Sequence, residues 1–185
     1  MNDSLLLLSN FIKNPKEVGA VAPSSKFLTR EIMKNINFET SRNIVELGPG
    51  LGTFTKSILK KAKPDARLFC FEVNKKFCSY LEKNITDDRL IVIRAGAESL
   101  GSSLKKLGIQ EAGCIVSGLP FLNFSDSKKN MILKEVKNSL SEKGRFILFQ
   151  YTNGLSRLLE SYFSKVDRKF VPLNMPPSFI YICEK

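Results

Sequence analysis

The sequence predicts an α/β fold in which a mostly parallel, seven-stranded sheet carries helices on both faces and ends in an antiparallel hairpin. Short β-branched and aromatic runs alternate with helical stretches, and this alternation indicates parallel strands joined by right-handed crossovers. The strand-like runs lie at residues 43–47, 67–72, 90–94, 113–117, 145–150, 165–173 and 179–183, and the helical stretches lie near residues 53–62, 75–85, 99–107 and 127–140.

The last two runs indicate the hairpin. Only residues 174–178, NMPPS, separate them. Parallel strands need a crossover of about a dozen residues, whereas antiparallel strands join through a short loop. We therefore expect the sheet to end in an antiparallel pair, which distinguishes this fold from an ordinary dinucleotide-binding domain.

Residues 1–36 differ from the alternating pattern and form a predicted N-terminal helical extension, followed by one domain over residues 37–185. The four leucines at residues 5–8, with Phe11 and Ile12, suit a short apolar helix. This helix either lies on a membrane or forms a lid over the active site, and the two interpretations are compatible. Ser24 or Ser25 is expected to cap the helix that follows.

The cysteine pattern predicts free thiols and no metal site. The chain has four cysteines and no histidine, and no two cysteines are spaced as in a zinc-binding CxxC pair. Three of them, Cys70, Cys114 and Cys183, lie in apolar strand-like runs. Buried free thiols are typical of a reducing compartment, so we expect a cytoplasmic location.

The charge balance predicts a polyanionic partner. The formal net charge is +11 at pH 7. A surface of this kind attracts nucleic acid or an anionic membrane leaflet, and the charge alone does not distinguish the two.

A glycine-rich loop and two acidic residues, Glu46 and Glu72, indicate which class of ligand the protein binds. Residues 45–52, VELGPGLG, end the first predicted strand and open a helix, with glycines that permit a tight turn and close approach of a ligand. Glu46, two residues before the first glycine, would repel a pyrophosphate but favours a cation such as the ammonium or sulfonium of S-adenosylmethionine. Glu72 ends the next strand, within reach of both ribose hydroxyls. The cofactor contacts predicted here are Glu46, Gly48, Gly50, Gly52 and Glu72.

With these features the sequence resembles the Rossmann-like class I S-adenosylmethionine-dependent methyltransferases. The resemblance implies an acidic residue after the third strand that holds the adenine amine. Gly96 occupies that position, which is a departure from the family pattern. We expect the backbone of Ala97 or the carboxylate of Glu98 to replace the missing acid, and we expect Ser24, Ser25 and Ser117 to contact the cofactor as well.

The acceptor loop comprises residues 117–124, SGLPFLNF. Amino-methylating members of the family carry an Asn-x-Pro-aromatic signature here, in which Asn accepts hydrogen bonds from the target amine. The predicted catalytic residues are Ser117, Leu119, Pro120 and Phe121, while Gly118 stands at the Asn position. An adenine amine is a poor nucleophile that benefits from strong acceptors, so the glycine favours a free aliphatic amine. With no histidine, the base is water, a carboxylate, Tyr151 or another tyrosine.

Three segments narrow the resemblance: residues 11–25, the acceptor loop, and residues 174–179. All three are similar to the bacterial phospholipid N-methyltransferases. The resemblance implies methylation of phosphatidylethanolamine or its methylated forms, by a protein bound peripherally to the inner face of the membrane. It also implies that no RNA-binding domain follows the hairpin.

Two alternatives stay open. The first is a ribosomal RNA adenine N6-methyltransferase, which the positive charge favours and Gly118 disfavours. The second is a cofactor-binding or membrane-binding module without activity, against which the intact glycine loop and Glu72 weigh.

Overall fold

The structure is a computed structural model, and it describes residues 25–174 and 176–185. Its centre is a seven-stranded sheet in the order β3-β2-β1-β4-β5-β7-β6. The first five strands run parallel, and β7 pairs antiparallel with both β5 and β6, as the sequence predicts. The strands are β1 (Asn43–Leu47), β2 (Arg67–Phe71), β3 (Leu90–Ile93), β4 (Ala112–Ser117), β5 (Leu140–Gln150), β6 (Lys165–Val171) and β7 (Ser178–Glu184).

Helices cover both faces of the sheet. Successive residues of a strand face opposite sides, so Ile44 of β1 packs with the first two helices while Val45 packs with the later ones. The helices are α1 (Lys26–Asn35), α2 (Thr53–Lys61), α3 (Lys75–Asn84), α4 (Leu100–Lys106), α5 (Asp126–Ser139) and α6 (Ser156–Glu160), with short 3₁₀ helices at Ala97–Ser99 and Phe121–Asn123. None of the helices in this described part has the length and apolar character needed to cross a membrane.

Two elements differ from the sequence prediction. β5 begins at Leu140 rather than at Arg145, because Leu140 pairs with Ala112 across an irregularity in the β4 ladder. The polar residues 141–143 hid this pairing, since they have low strand propensity. α6 was not predicted, because five residues are too few to show a helical period.

The N-terminal extension is described only from Ser25 onward, so the predicted helix at residues 5–8 and Ser24 lie outside the described residues. Ser25 caps α1 as predicted, since its hydroxyl oxygen accepts from the Leu28 N–H at 3.1 Å. All four cysteines are buried free thiols.

Asn174 fixes the start of α1 to the loop between β6 and β7. Its side-chain oxygen accepts from the Ser25 N–H at 3.1 Å, and its side-chain nitrogen donates to the Pro176 carbonyl and the Ser178 hydroxyl, both at 2.8 Å. In parallel sheets the carboxyl ends of the strands meet at one edge, where ligands bind. The loop between β6 and β7 lies at this edge, because β6 and β5 both pair antiparallel with β7. The contact of Asn174 with Ser25 therefore places the start of α1 there as well.

Candidate active site

The glycine loop after β1 leaves open space for a ligand. Gly48, Gly50 and Gly52 have φ values of 72°, 55° and 78°, a left-handed region that other residues rarely adopt. A Cβ at Gly50 would have no described atom within 4 Å, whereas one at Gly48 would lie 2.9 Å from the Leu119 side chain. The backbone is thus open above Gly50 and closely packed against the acceptor loop at Gly48.

Glu72 braces the glycine loop from the end of β2. The side chain is 8% exposed, and its carboxylate accepts from the Gly50 N–H at 3.2 Å and from the Asn74 N–H at 2.9 Å. Burial raises the pKa of Glu72, and the hydrogen bonds from these two amides oppose that shift. Each carboxylate oxygen retains a lone pair for a hydroxyl, so the predicted ribose contact stays a prediction alongside this bracing role.

Glu46 is fully buried beside the loop. Its Oε2 accepts from the Thr55 hydroxyl at 2.6 Å and from the Cys70 thiol at 3.5 Å. Its Oε1 has no hydrogen-bond partner among residues 25–174 and 176–185. Burial raises the pKa of Glu46 to about 7.

The unpaired Oε1 of Glu46 shows how the residues of this site fit S-adenosylmethionine. An unpaired buried carboxylate is costly, and an ammonium group would both neutralise it and donate to Oε1. Together with the open backbone at Gly50, the two carboxylate acceptors, Glu46 and Glu72, fit a cationic nucleoside cofactor.

The carboxylate of Glu98 lies over Gly96. A Cβ built at Gly96 would be 2.5 Å from the carboxyl carbon and both oxygens of Glu98. The acid therefore occupies the space that a side chain at position 96 would fill, and Lys128 Nζ lies 4.0 Å from its Oε1. Ala97, between them, is buried at the start of a 3₁₀ helix. The geometry is consistent with Glu98 as the substitute acid, which stays a prediction.

The structure explains why position 118 holds a glycine. A Cβ there would lie 2.9 Å from the Gly48 carbonyl oxygen, which is backbone and does not move aside easily. The Gly118 N–H donates to the Leu47 carbonyl at 2.9 Å, so the two loops are joined directly. An Asn side chain has no room at position 118 without displacing the glycine loop.

The remaining predicted catalytic residues shape the acceptor loop. The buried Ser117 hydroxyl accepts from the Leu119 N–H at 3.2 Å and so holds the turn. Phe121 is 0% exposed and packs against Phe124 and Phe146, with ring centroids 6.0 and 6.3 Å apart. Phe121 is therefore part of the hydrophobic core, and its predicted packing on the acceptor stays a prediction.

A cleft of about 240 Å³ opens between the acceptor loop and the end of β5. It brings together two of the predicted catalytic residues, Leu119 and Pro120, with residues that sequence reasoning missed. These are Phe149, Gln150 and Thr152, which lie at the end of β5 or just after it, far from the acceptor loop in the sequence. The cleft is lined by Gly118, Leu119, Pro120, Leu122, Asn123, Phe149, Gln150, Tyr151 and Thr152.

Tyr151 was one of the candidates for the base. Burial raises its pKa above the ordinary value, and its ring packs edge-on against Phe149 at 5.9 Å. The phenol is therefore harder to ionise than usual. Among the candidates, water or a carboxylate fits the base role better.

Known proteins of similar sequence are methyltransferases. The family model of the ribosomal RNA adenine dimethylases matches residues 10–157. The ornithine lipid N-methyltransferase of Singulisphaera acidiphila is 31% identical over 99% of this chain and 96% of its own. The ribosomal RNA small subunit methyltransferase A of Mesomycoplasma hyopneumoniae is 26% identical, over 84% of this chain and 60% of its own.

A solved structure shows the same fold. The 1,6-didemethyltoxoflavin-N1-methyltransferase of Burkholderia thailandensis, with bound S-adenosylhomocysteine, superposes with a TM-score of 0.71 over 98% of this chain and 88% of that chain, at 13% identity. The fold, the loop built for a cationic nucleoside and these relatives agree on S-adenosylmethionine as the cofactor. The chain belongs to the ribosomal RNA adenine dimethylase family of S-adenosylmethionine-dependent class I methyltransferases.

Proposed function

We propose that the protein transfers a methyl group from S-adenosylmethionine to the amine of a phospholipid headgroup, with phosphatidylethanolamine or its methylated forms as the acceptor. The observation that carries the proposal is the closed space at Gly118, which excludes the Asn side chain that activates an adenine amine. An aliphatic amine attacks without such help once it is deprotonated. A relative matched along nearly the whole chain bears the name of a lipid N-methyltransferase, which supports the same acceptor class.

In this mechanism the chain acts by positioning and by excluding water. The cofactor supplies a methyl group on a sulfonium. Glu46 would bind its ammonium, Glu72 its ribose, and Glu98 with the Ala97 backbone its adenine, with Ser25 and Ser117 beside them. Leu119 and Pro120, which line the cleft, would position the acceptor amine.

Apolar side chains at the carboxyl edge of the sheet support a membrane partner. Leu122 is an exposed apolar residue of the cleft itself. Phe170 and Leu173 are also exposed. They lie near the end of β5, because Phe179 pairs with both Phe170 of β6 and Gln150 of β5. Phe27 is exposed two residues after Ser25, at the same edge. Such side chains insert into the headgroup region more readily than they bind a charged polynucleotide.

We call these exposed apolar residues, Phe27, Leu122, Phe170 and Leu173, the apolar rim. Basic side chains lie near it. The exposed residues Lys26 and Arg30 lie on α1, and Arg168 lies on β6. Exposed cations near an anionic leaflet each contribute about 1 kcal/mol of attraction. We propose that this edge binds the inner face of the cytoplasmic membrane peripherally and presents the cleft to the lipid headgroups.

The second candidate is methylation of adenine in ribosomal RNA. The family match and the RNA-methylating relatives favour it, as does the net charge of +11. It requires that another group replace the Asn side chain excluded at Gly118.

A side-by-side assay with radiolabelled S-adenosylmethionine distinguishes the two. The acceptors are vesicles of phosphatidylethanolamine with anionic lipid, the same vesicles with ornithine lipid, and unmodified ribosomal RNA. We expect label in a lipid amine. Label in RNA adenine alone would show that the second candidate is correct and that the interpretation of Gly118 is wrong.

A further inference from the structure

Gln150 is a buried amide in the wall of the cleft. It is the last residue of β5, is 5% exposed, and lines the cleft beside Leu119. Its Nε2 donates to the Leu119 carbonyl at 2.9 Å, which fixes the orientation of the amide. No hydrogen bond to Oε1 is present within the described residues, and the side chain that carries this oxygen lines the cleft. Oε1 is therefore available to a ligand in the cleft.

Some acceptors of the loop are already engaged. The Leu119 carbonyl accepts from both the Gln150 amide and the Phe121 N–H, each at 2.9 Å, which uses its two lone pairs. The Pro120 carbonyl accepts from the Asn123 N–H at 2.9 Å and keeps one lone pair. Two side-chain amides line the cleft, those of Gln150 and Asn123. The hydrogen bond to the Leu119 carbonyl holds the Gln150 amide in one orientation, whereas the Asn123 side chain has no such bond within the described residues.

We propose that Gln150 Oε1 accepts a hydrogen bond from the acceptor amine and so replaces, from the neighbouring strand, the Asn side chain missing at position 118. This inference rests on the proposed function. During transfer a C–N bond forms, the C–S bond breaks, and sulfur takes the electron pair. The nitrogen becomes positive and its N–H bonds become more acidic, so the bond to Oε1 strengthens in the transition state. The surplus proton leaves to water afterwards.

Gln150 would then discriminate between headgroups by their N–H bonds. A neutral primary amine carries N–H bonds, whereas a neutral dimethylated amine carries none. A residue that only holds the Leu119 carbonyl would affect both acceptors equally, because the loop is the same for both.

The experiment compares the wild type with Gln150→Met, which keeps the side-chain length and removes the amide. The acceptors are vesicles of phosphatidylethanolamine and of its N,N-dimethyl form, or the same pair of ornithine lipids if those are labelled instead. We expect kcat/KM for the primary amine to fall about ten- to a hundredfold and that for the dimethylated amine to change less than threefold. The ratio of the two does not depend on the fraction of protein that is folded.

Asn123→Leu is the matched control, since it removes a different amide from the same cleft. We expect its ratio to equal that of the wild type. An unchanged ratio in Gln150→Met, or a changed ratio only in Asn123→Leu, would overturn the proposal. If Gln150→Met methylates neither lipid, Gln150→Glu, which keeps an oxygen acceptor, should recover methylation of the primary amine, and failure to recover it also overturns the proposal. A wild type that labels RNA and no lipid refutes the proposed function instead.

Discussion

At the residue scale, Glu46 is expected to couple cofactor binding to pH. Its pKa is raised to about 7 by burial, so the carboxyl is largely protonated below that pH. A bound ammonium favours the ionised form, and binding therefore releases a proton below pH 7. We expect affinity for S-adenosylhomocysteine to rise about tenfold per pH unit below pH 7 and to level off above it. Calorimetry from pH 5.5 to 8.5 measures this dependence.

Glu46→Gln is the control for that dependence. Its amide oxygen can still accept from Thr55, but the side chain does not ionise. Affinity should be lower at pH 8 and nearly independent of pH. A pH dependence that survives in this variant would assign the proton to another group.

The same buried acid has the opposite effect on the ligand-free protein. Because the folded-state pKa lies above the reference value of 4.5, the folded chain holds a proton that the unfolded chain releases. The free energy of unfolding should therefore fall as pH rises from about 4.5 to about 7. Urea unfolding at several pH values measures this slope, and Glu46→Gln should flatten it.

Substitution of Glu72 is a second test of S-adenosylmethionine binding at this site. Glu72→Ala removes the carboxylate that accepts from the Gly50 N–H and is expected to accept from the ribose. Charge-assisted hydrogen bonds contribute about 1.5–3 kcal/mol each, so affinity for S-adenosylhomocysteine should fall at least about tenfold. Glu82→Ala, an exposed acid of α3, is the matched control. Unchanged calorimetric affinity in Glu72→Ala would refute its assignment.

At the element scale, the contact between two loops depends on Gly118. Gly118→Ala would place a Cβ 2.9 Å from the Gly48 carbonyl oxygen. We expect the free energy of unfolding to fall by about 1–3 kcal/mol, as for overpacked sites, with a loss of cofactor affinity because the glycine loop is displaced. Gly154→Ala is the control, since its Cβ would meet the side chains of Leu122 at 3.4 Å and Thr152 at 3.9 Å, which are ordinary contact distances. Equal urea midpoints for the two variants would contradict the contact.

Periodicity predicted the elements that are long enough to show it. The seven strands and the hairpin follow from the alternation of residue types and from the short gap at residues 174–178. β5 began earlier than predicted because pairing with β4 outweighs the weak propensity of its polar start.

The parts of the candidate site that lie within one sequence motif could be predicted. The parts that form by contact between residues distant in sequence could not. The glycine spacing and the positions of Glu46 and Glu72 can be identified in the sequence. The contact of Glu98 with Gly96 and the place of Gln150 in the cleft depend on side-chain directions and on strand neighbours distant in sequence. No local pattern in a single sequence encodes these.

At the scale of the whole molecule, the apolar rim and the net charge predict how the protein meets vesicles. Leu173→Asp puts a charge at the carboxyl edge, and Leu107→Asp puts the same charge at an exposed apolar position ahead of β4. Sedimentation with vesicles should weaken in the first variant and stay unchanged in the second. Binding should require anionic lipid and fall with salt, because exposed charges are screened beyond about 8–10 Å.

Deletion of residues 1–12 tests the predicted apolar helix separately. Vesicle binding should fall while cofactor binding is largely retained. Equal sedimentation of the full and shortened chains would remove this helix from the membrane interaction.

The position of β6 at one edge of the sheet has a consequence for self-association. An edge strand offers unpaired backbone N–H and C=O groups on which another chain can add a strand. Three exposed cations, Lys165, Arg168 and Lys169, and one exposed acid, Asp167, lie along β6, so a second copy aligned there would bring an excess of positive charge together. This excess discourages strand-to-strand aggregation, and replacing all three cations with threonine is expected to make the protein prone to forming β-linked assemblies.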